Sequence, residues 1–389
     1  MTKTTTKYTD HVINIPLTPT SAYRKALIDR LENLALVIMR QIMARQLPKI
    51  HTSYSNTMLR PSMECDDDNE NDLSNATATY AEEIHSHEIG VDGGIKQEGR
   101  CVVDFSLKRG KIKLILMMTI AAKAHKLLIA NEYQTKRAVY YEFKGGPLRS
   151  FIEQQSITDG IINNVAKIME CNTWELGFIA TAKGLVSGAL QLTLQTREII
   201  DCEVPGGVLI PQITSPIISL KSSATSLVII EKDAVFQRLL EEDCTHKMNC
   251  ILVTGKGYPD AATRKFVKML IEFLGIEAYI LVDADPHGID IMCVYKYGSS
   301  ALSWENKYLA CPTIKWIGIY PSEVSKLHLQ KIPLTRADLI KLRGLQSRRY
   351  LDNNLREELD YLYNGKTEIE GMAEISFLFL TSLYFPTKI

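Results

Sequence analysis

The sequence has no excess of charge of either sign, because its 389 residues include 45 Lys and Arg and 45 Asp and Glu. Net charge therefore supplies no overall field for nucleic acid, and any such attraction must come from local patches. Long apolar runs are also missing. The most apolar stretch, residues 112–130, is interrupted by Lys113, Lys123, His125 and Lys126, which excludes a membrane span. The first ten residues contain no apolar signal core, so we expect an intracellular protein.

Paired metal-ligand spacings and a nucleotide loop are absent as well. The closest cluster among the eight cysteines, Cys244, His246 and Cys250, lacks a second ligand pair and does not predict a zinc site. Free thiols in a reducing compartment are the simpler interpretation. The Gly-Lys-Gly run at residues 255–257 has no Ser or Thr after Lys256, as a phosphate loop would require. Lys256, flanked by glycines, is better suited to contact a DNA phosphate.

The first ninety-seven residues predict a helix followed by a flexible segment. Apolar residues recur at helical spacing over residues 21–46, and Ser21 is a possible N-cap. Residues 47–97 are polar, with an acidic run over residues 66–72, and predict an acidic flexible linker. We therefore expect residues 1–46 to form a partner-docking helix that stands apart from the body. The alternative is that the helix folds back on its own protomer.

Residues 98–213 have the pattern of a winged-helix DNA-binding domain. A strand is predicted at 102–105, and helices are predicted at 111–130 and 135–143, with a third beginning at Ser156 or Thr158. Strands are predicted at 185–194 and 203–213. Three helices followed by short strands is the order of elements in that domain.

The second half, residues 214–389, alternates between short β-rich runs and helical stretches. The predicted strands are 226–230, 250–253, 278–282 and 313–319, and the predicted helices are 234–242, 260–274 and 288–295. This alternation predicts a parallel sheet with flanking helices, so the chain as a whole is a mixed α/β protein. In such sheets, functional residues collect at the carboxyl ends of the strands.

Three acidic residues lie where that rule expects function. Glu231 ends one predicted strand, and Asp283 and Asp285 end another. Residues two apart in an extended backbone point to one face, so the two aspartates converge. Converging carboxylates repel each other unless a cation lies between them, and hard oxygen ligands suit Mg²⁺. The alternative is that both aspartates only cap the helix that follows.

Tyr140 and Tyr141 are candidates for nucleophilic chemistry. Arg137 and Tyr141 are four residues apart in a predicted helix and share a face. A guanidinium beside a phenol favours its ionisation and can hold the phosphate that it attacks. The chain has 17 tyrosines, so an arginine at this spacing is also compatible with an ordinary helix surface.

Taken together and in order, these segments resemble one family, that of the meiotic double-strand-break transesterase and the topoisomerase VI A subunit. The resemblance covers about residues 99–389 and includes the family's Toprim signatures, so it implies a winged-helix (CAP-like) domain followed by a Rossmann-like Toprim domain. The matching segments are residues 136–141, 182–186, 231–236, 255–260, 283–288, 316–322 and 366–369.

The resemblance implies a mechanism and a set of partners. Tyr141 would attack a DNA phosphodiester and form a 5′-phosphotyrosyl link, and Arg137 would steady the phosphate. Glu231, Asp283 and Asp285 would hold Mg²⁺, and Lys183 and Lys256 would bind DNA. The implied partners are double-stranded DNA, a second protomer that completes a composite active site, accessory meiotic proteins in the nucleus and a B-type subunit.

One position departs from the family pattern. The family usually has an acidic residue after the arginine, whereas this chain has Ala138, which puts in question how Arg137 is held. Three functions stay open at this point: a meiotic transesterase, a somatic topoisomerase VI A subunit that reseals what it cuts, and a catalytically weak DNA-binding scaffold.

Overall fold

The chain divides into two compact units in the structure, a computed structural model that describes residues 9–12, 21–51, 101–299, 306–372 and 378–389. Of the described residues, the helical unit comprises 21–51 and 101–180. The sheet unit comprises 9–12, 181–299, 306–372 and 378–389. Most of the predicted acidic linker, residues 52–97, lies outside the described residues, and the linker stays a prediction.

The described elements are numbered along the chain. The strands are β1 (Thr9–Val12), β2 (Lys49–His51), β3 (Cys101–Asp104), β4 (Gln134–Thr135), β5 (Phe178–Ile179), β6 (Leu185–Ser187), β7 (Leu190–Leu194), β8 (Ile199–Asp201), β9 (Val208–Leu209), β10 (Ile217–Ser222), β11 (Ser226–Ile230), β12 (Cys250–Thr254), β13 (Glu277–Leu281) and β14 (Lys315–Gly318). The helices are α1 (Ser21–Met43), α2 (Lys108–Ala130), α3 (Lys136–Lys144), α4 (Gln155–Met169), α5 (Asp233–Glu241), α6 (Cys244–Lys247), α7 (Ala261–Leu274), α8 (Pro286–Tyr297), α9 (Asn306–Leu309), α10 (Arg336–Gln346), α11 (Asn353–Tyr361) and α12 (Phe385–Lys388). Short 3₁₀ turns lie at Arg149–Phe151, Thr173–Leu176, Leu362–Asn364 and Ile369–Gly371, and a π-helical turn lies at Leu380–Tyr384.

Helix α1 forms where the sequence predicts a helix, but it does not stand apart. Leu27, Leu31, Leu34 and Ile38 are three or four residues apart, form one face, and are buried in the core of the helical unit with residues of α2 and α4. The Arg30 guanidinium donates a hydrogen bond to the Met169 carbonyl at 2.8 Å. The expectation of a separate helix is therefore wrong, because the apolar stripe is covered by its own chain. A docking role for the helix stays a prediction.

The strands predicted for a winged-helix domain belong to the sheet unit. β6 pairs with β12, and β7 pairs with β10, so the division falls between residues 180 and 181 rather than at 213. The three predicted helices form as α2, α3 and α4. In the predicted strand at 203–213, only β9 is extended. The winged-helix assignment itself stays a prediction.

The sheet unit is built on a six-stranded sheet in the order β14-β13-β11-β12-β6-β9. β11 runs parallel to β12 and β13, and β13 runs parallel to β14, which confirms the predicted parallel sheet. β6 and β9 add antiparallel strands at one side. The register aligns the carboxyl ends, since Ile230 lies opposite both Thr254 and Leu281.

Both faces of this sheet are covered, as is usual for parallel strands. Every residue of β11 is buried, and its side chains alternate between two cores. Leu227 and Ile229 join a core with α7, α8, α10 and α11, whereas Val228 and Ile230 join a core with α5 and the C-terminal turns. The sheet is thus fixed by apolar contacts, which leaves its carboxyl edge for polar side chains.

A second sheet of the unit has the order β1-β10-β7-β8 and is antiparallel. Within the described ranges, no helix combines the length and the apolarity that a membrane crossing needs.

Candidate active site

The carboxyl edge of the parallel sheet brings together polar segments from three strands. Glu231 follows β11, the Gly255–Asp260 loop follows β12, and Asp283 lies two residues after β13. Two hydrogen bonds tie these segments together. The Gly257 N–H donates to the Glu231 carbonyl at 2.9 Å, and the Asp283 N–H donates to Glu231 Oε2 at 2.8 Å. The parallel register thus places residues 231 and 283 side by side, although they are 52 positions apart.

Glu231 and Asp283 are buried carboxylates whose negative charge is only partly offset. Burial raises the pKa of Glu231 well above its ordinary value, and repulsion from Asp283 raises it further. Burial also raises the pKa of Asp283, although Lys232 and the Ile369 N–H act in the opposite direction. Two buried oxygen-donor groups with raised pKa values are chemically suited to a hard divalent cation, whose charge would stabilise the ionised form.

Asp285 has a different local role from its two neighbours. Its Oδ1 accepts a hydrogen bond from the Gly288 N–H at 2.5 Å and so caps the N-terminus of α8. The helix-capping alternative thus describes Asp285 in this conformation, whereas Asp283 makes no such cap. Among the residues that the structure describes, no three His, Cys, Asp or Glu side chains are gathered closely enough to hold a metal ion as they stand.

Gly288 allows the close approach of the two buried carboxylate residues. A Cβ at this position would lie 2.6 Å from the Asp283 carbonyl oxygen and 2.9 Å from Glu231 Oε2. Any side chain would therefore press on the residues that form the edge. This steric requirement explains why a glycine stands in the first turn of α8.

Lys232 lies against the same carboxylates, a contact that the sequence did not predict. Its ammonium is 2.9 Å from Asp283 Oδ2, 2.7 Å from Glu370 Oε2 and 3.3 Å from Glu368 Oε2. The turn that carries the two glutamates also contacts Asp283, because the Ile369 N–H donates to Asp283 Oδ1 at 2.8 Å. The C-terminal turn is therefore joined to the carboxyl edge through one carboxylate and one lysine.

Lys183 and Lys256, the predicted DNA-binding residues, lie next to each other at this edge. Lys183 precedes β6, and its ammonium donates to the Lys256 carbonyl at 3.1 Å. Its backbone N–H donates to Asp260 Oδ2 at 3.1 Å. The Lys256 ammonium is 3.0 Å from Asp233 Oδ2, and both lysines are exposed. The structure therefore brings the two lysines together at the carboxyl edge of the sheet.

A buried charge network holds the Gly255–Asp260 loop against α8. The Tyr258 hydroxyl donates to Asp290 Oδ2 at 2.6 Å, and Lys341 and Arg348 each approach the same carboxylate to 2.6 Å. Burial would raise the pKa of Asp290, but the two cations outweigh burial and lower it. Sequence reasoning missed this network, because Asp290 sits within a helix whose pattern predicts only packing.

The two candidate tyrosines of α3, in the helical unit, have different environments. Tyr140 is 8% exposed, its hydroxyl donates to the Glu153 carbonyl at 3.1 Å, and it accepts from the Lys144 ammonium at 2.9 Å. Tyr141 is 55% exposed, and its hydroxyl accepts a hydrogen bond from the Arg137 guanidinium at 3.3 Å. Tyr141 is therefore the one of the pair whose oxygen is accessible and has a cationic neighbour.

Arg137 is positioned by the first turn of α3. The helix is capped by Thr135, whose side chain accepts a hydrogen bond from the Ala138 N–H at 3.1 Å. The predicted helix at 135–143 thus differs from α3 by one residue at each end. Within the described part of the chain, no carboxylate forms an ion pair with Arg137, and its guanidinium donates to the Tyr141 hydroxyl.

Comparison with known protein families finds a match in each of the two units. Residues 226–389 match the Toprim domain of the topoisomerase 6 A subunit/Spo11 family, and residues 112–178 match the type IIB DNA topoisomerase family. The first match spans the carboxyl edge with its buried carboxylates, and the second contains α3 with Tyr140 and Tyr141. The fold and the site therefore define a type IIB topoisomerase-like enzyme with a Toprim domain.

Individual relatives agree with this class. The chain is 35% identical over 286 residues to the human meiotic recombination protein SPO11, covering 71% of each chain. It is 34% identical to the Drosophila melanogaster meiotic recombination protein W68, covering 74% of this chain and 86% of the relative. It is 31% identical to the A subunit of Arabidopsis thaliana DNA topoisomerase 6, covering 71% of this chain and 66% of the relative. The chain belongs to the topoisomerase 6 A subunit/Spo11 family, as the sequence motifs predict.

Proposed function

We propose that this protein is a tyrosine transesterase that makes DNA double-strand breaks and so initiates meiotic recombination. The single observation that carries the proposal is the exposed Tyr141 hydroxyl beside Arg137. It lies within the residues matched to the type IIB topoisomerases. Relatives named as meiotic recombination proteins support the meiotic role.

In the proposed reaction, the Tyr141 oxygen attacks a DNA phosphorus. The Tyr141 hydroxyl gives up its proton as the 5′-phosphotyrosyl bond forms. The bond from phosphorus to the 3′ oxygen breaks, and that oxygen takes up a proton to become a 3′-hydroxyl. Arg137 stabilises the phenolate and the charge that builds on the phosphate oxygens. Tyr140 takes no part in the attack, because its hydroxyl is buried and already hydrogen-bonded to Glu153 and Lys144.

Glu231, Asp283 and Asp285 are the proposed ligands of Mg²⁺. The raised pKa values of the two buried carboxylates support this assignment, since a divalent cation would supply the missing positive charge. To bind the metal, Asp285 would give up the hydrogen bond with which it caps α8. When bound, the metal would stabilise negative charge near the leaving oxygen.

The two exposed lysines at the carboxyl edge are the proposed DNA contacts. Lys183 and Lys256 lie next to each other at this edge and would bind phosphate oxygens, which positions a duplex without reading its sequence. We further propose that the helical unit contributes a winged-helix surface to the same duplex. The family relationship and the order of α2, α3 and α4 support that assignment.

The protein would act as a homodimer in the nucleus, with Tyr141 of one protomer facing the metal carboxylates of the other. Accessory meiotic proteins and a B-type subunit are the expected partners. The C-terminal half of α1, where Val37, Met39, Ile42 and Met43 are exposed, is the proposed docking surface for these partners.

A somatic topoisomerase VI A subunit is the second candidate, favoured by the likeness to the Arabidopsis thaliana protein. One experiment separates the candidates. Protein purified from cells in meiosis should carry short oligonucleotides bound covalently to tyrosine. ATP-dependent decatenation with a B-type partner would favour the topoisomerase, and the absence of both activities would favour a DNA-binding scaffold.

A further inference from the structure

Lys232 has more anionic partners than one ammonium needs. It directly follows Glu231 at the end of β11, and its ammonium lies within 3.3 Å of three carboxylates, those of Asp283, Glu368 and Glu370. Asp283 is buried, whereas Glu368 and Glu370 are exposed. Lys232 therefore forms ion pairs with one buried carboxylate and with two exposed carboxylates that water already solvates.

The Lys232 ammonium is paired with a carboxylate oxygen of Asp283 that a metal ion would need as a ligand. Asp283 Oδ1 accepts the Ile369 N–H at 2.8 Å, and Oδ2 is the oxygen that pairs with Lys232 at 2.9 Å. An ammonium and a divalent cation placed on the same oxygen repel each other strongly in a partly buried site. A metal ion that binds Asp283 through Oδ2 must therefore displace Lys232.

We propose that Lys232 is an internal counterion that Mg²⁺ replaces, and that Glu368 and Glu370 receive the lysine when it leaves Asp283. This inference rests on the proposed Mg²⁺ site. In the metal-free protein, Lys232 neutralises the buried carboxylate. In the loaded protein, it pairs only with the two exposed glutamates. A buried charge is compensated in both states, and the lysine and the glutamates together set the affinity for the metal.

The test is calorimetric titration of the full-length protein with MgCl₂, comparing wild type with Lys232→Met, with the Glu368→Gln/Glu370→Gln pair, and with all three changes together. Lys232→Met should lower the dissociation constant by about thirtyfold, the effect on a divalent cation of one unit charge about 4 Å away under full water screening. The glutamine pair should raise the constant, because the lysine loses its alternative partners. In the Lys232→Met background, the same pair should have less than half of that effect.

Lys315→Met is the matched control. Lys315 also forms a lysine–glutamate ion pair, with Glu277 at 2.6 Å, but at the opposite edge of the same sheet. Its replacement should leave the dissociation constant unchanged. If Lys315→Met lowers the dissociation constant as much as Lys232→Met does, the effect comes from net charge, and the proposed replacement of Lys232 by Mg²⁺ is wrong.

Two further results would contradict the inference. The first is additivity: if the effects of Lys232→Met and of the glutamine pair on the free energy of Mg²⁺ binding simply add, the lysine does not move from Asp283 to the glutamates. The second is tighter Mg²⁺ binding by the glutamine pair than by the wild type. The glutamine pair alters exposed residues only, so it tests the exchange even where Lys232→Met fails to fold. If the wild-type protein binds no Mg²⁺ by calorimetry, the proposed metal site fails, and the inference fails with it.

Discussion

At the scale of single residues, Asp290 shows how a buried charge can support a site without joining it. Its carboxylate accepts a hydrogen bond from the Tyr258 hydroxyl and forms ion pairs with Lys341 and Arg348. Through Tyr258 it fixes the loop that carries Lys256. Asp290→Asn should lower the free energy of unfolding at pH 7 by about 3 kcal/mol, since it leaves two partly buried cations without their anion. Urea denaturation measures this change.

The pH dependence of the Asp290 contribution has a defined sign. The pKa of Asp290 is lowered in the folded protein, so its stabilisation is present above the ordinary value of 3.8 and is lost as the pH falls below it. The stability difference between wild type and Asp290→Asn should shrink below about pH 4. A difference that stays constant there would contradict the account. Glu277→Gln is the control. It removes an exposed ion pair, so it should change the free energy of unfolding little.

Gly288 provides a second test at the residue scale. Gly288→Ala should weaken or abolish Mg²⁺ binding, because the added Cβ would press on Glu231 Oε2 and on the Asp283 backbone. Gly344→Ala is the matched control. Gly344 also lies in a helix, α10, and a Cβ added there would meet no atom within 4 Å. Calorimetry should show normal binding for the control, and equal binding by both variants would refute the steric argument.

At the scale of elements, α1 has buried and exposed apolar residues with different expected roles. Leu31 is part of the core, so Leu31→Ala should lower the free energy of unfolding by about 2–4 kcal/mol. Met39 and Met43 are exposed and share one face, so Met39→Glu with Met43→Glu should leave unfolding nearly unchanged but prevent co-purification with the B-type subunit or the accessory meiotic proteins. If this double variant still co-purifies with those partners, the docking surface lies elsewhere.

The parallel sheet and its carboxyl edge were predictable because their signals are local. Short β-rich runs alternate with helical stretches, and Glu231 and Asp283 lie just beyond the ends of buried strands. The packing of α1 was not predictable in the same way. A stripe of Leu27, Leu31, Leu34 and Ile38 shows that a face is buried but does not show which surface covers it.

The contacts of Lys232 escaped sequence reasoning for a related reason. Its partners lie 51 to 138 positions further along the chain, and only the folded register brings them together. Lysine beside a glutamate is common in any sequence, so the pair Glu231-Lys232 carries no signal by itself. The environment of Tyr140 is similar, because the carbonyl that its hydroxyl binds, that of Glu153, is 13 positions away.

At the scale of the whole molecule, the proposed dimer predicts a specific result for mixed protomers. Homodimers of Tyr141→Phe and homodimers of Asp283→Ala should not cut DNA. A mixed dimer would retain one intact site, with Tyr141 from one protomer and the metal carboxylates from the other. Mixing the two variants should therefore produce single-strand nicks but no double-strand breaks. Gel analysis of a supercoiled plasmid distinguishes the two products, and the absence of nicks in a verified mixed dimer would indicate a site within one protomer.

The most direct test of the central claim compares the two adjacent tyrosines of α3. Tyr141→Phe removes the proposed attacking oxygen with little change in volume, and Tyr140→Phe removes the hydroxyl that contacts Glu153 and Lys144. Covalent protein–DNA adducts are measured for both variants in the presence of Mg²⁺ and the B-type partner. The account predicts no adduct from Tyr141→Phe and persisting adduct from Tyr140→Phe. Adducts that persist in Tyr141→Phe and vanish in Tyr140→Phe would contradict it.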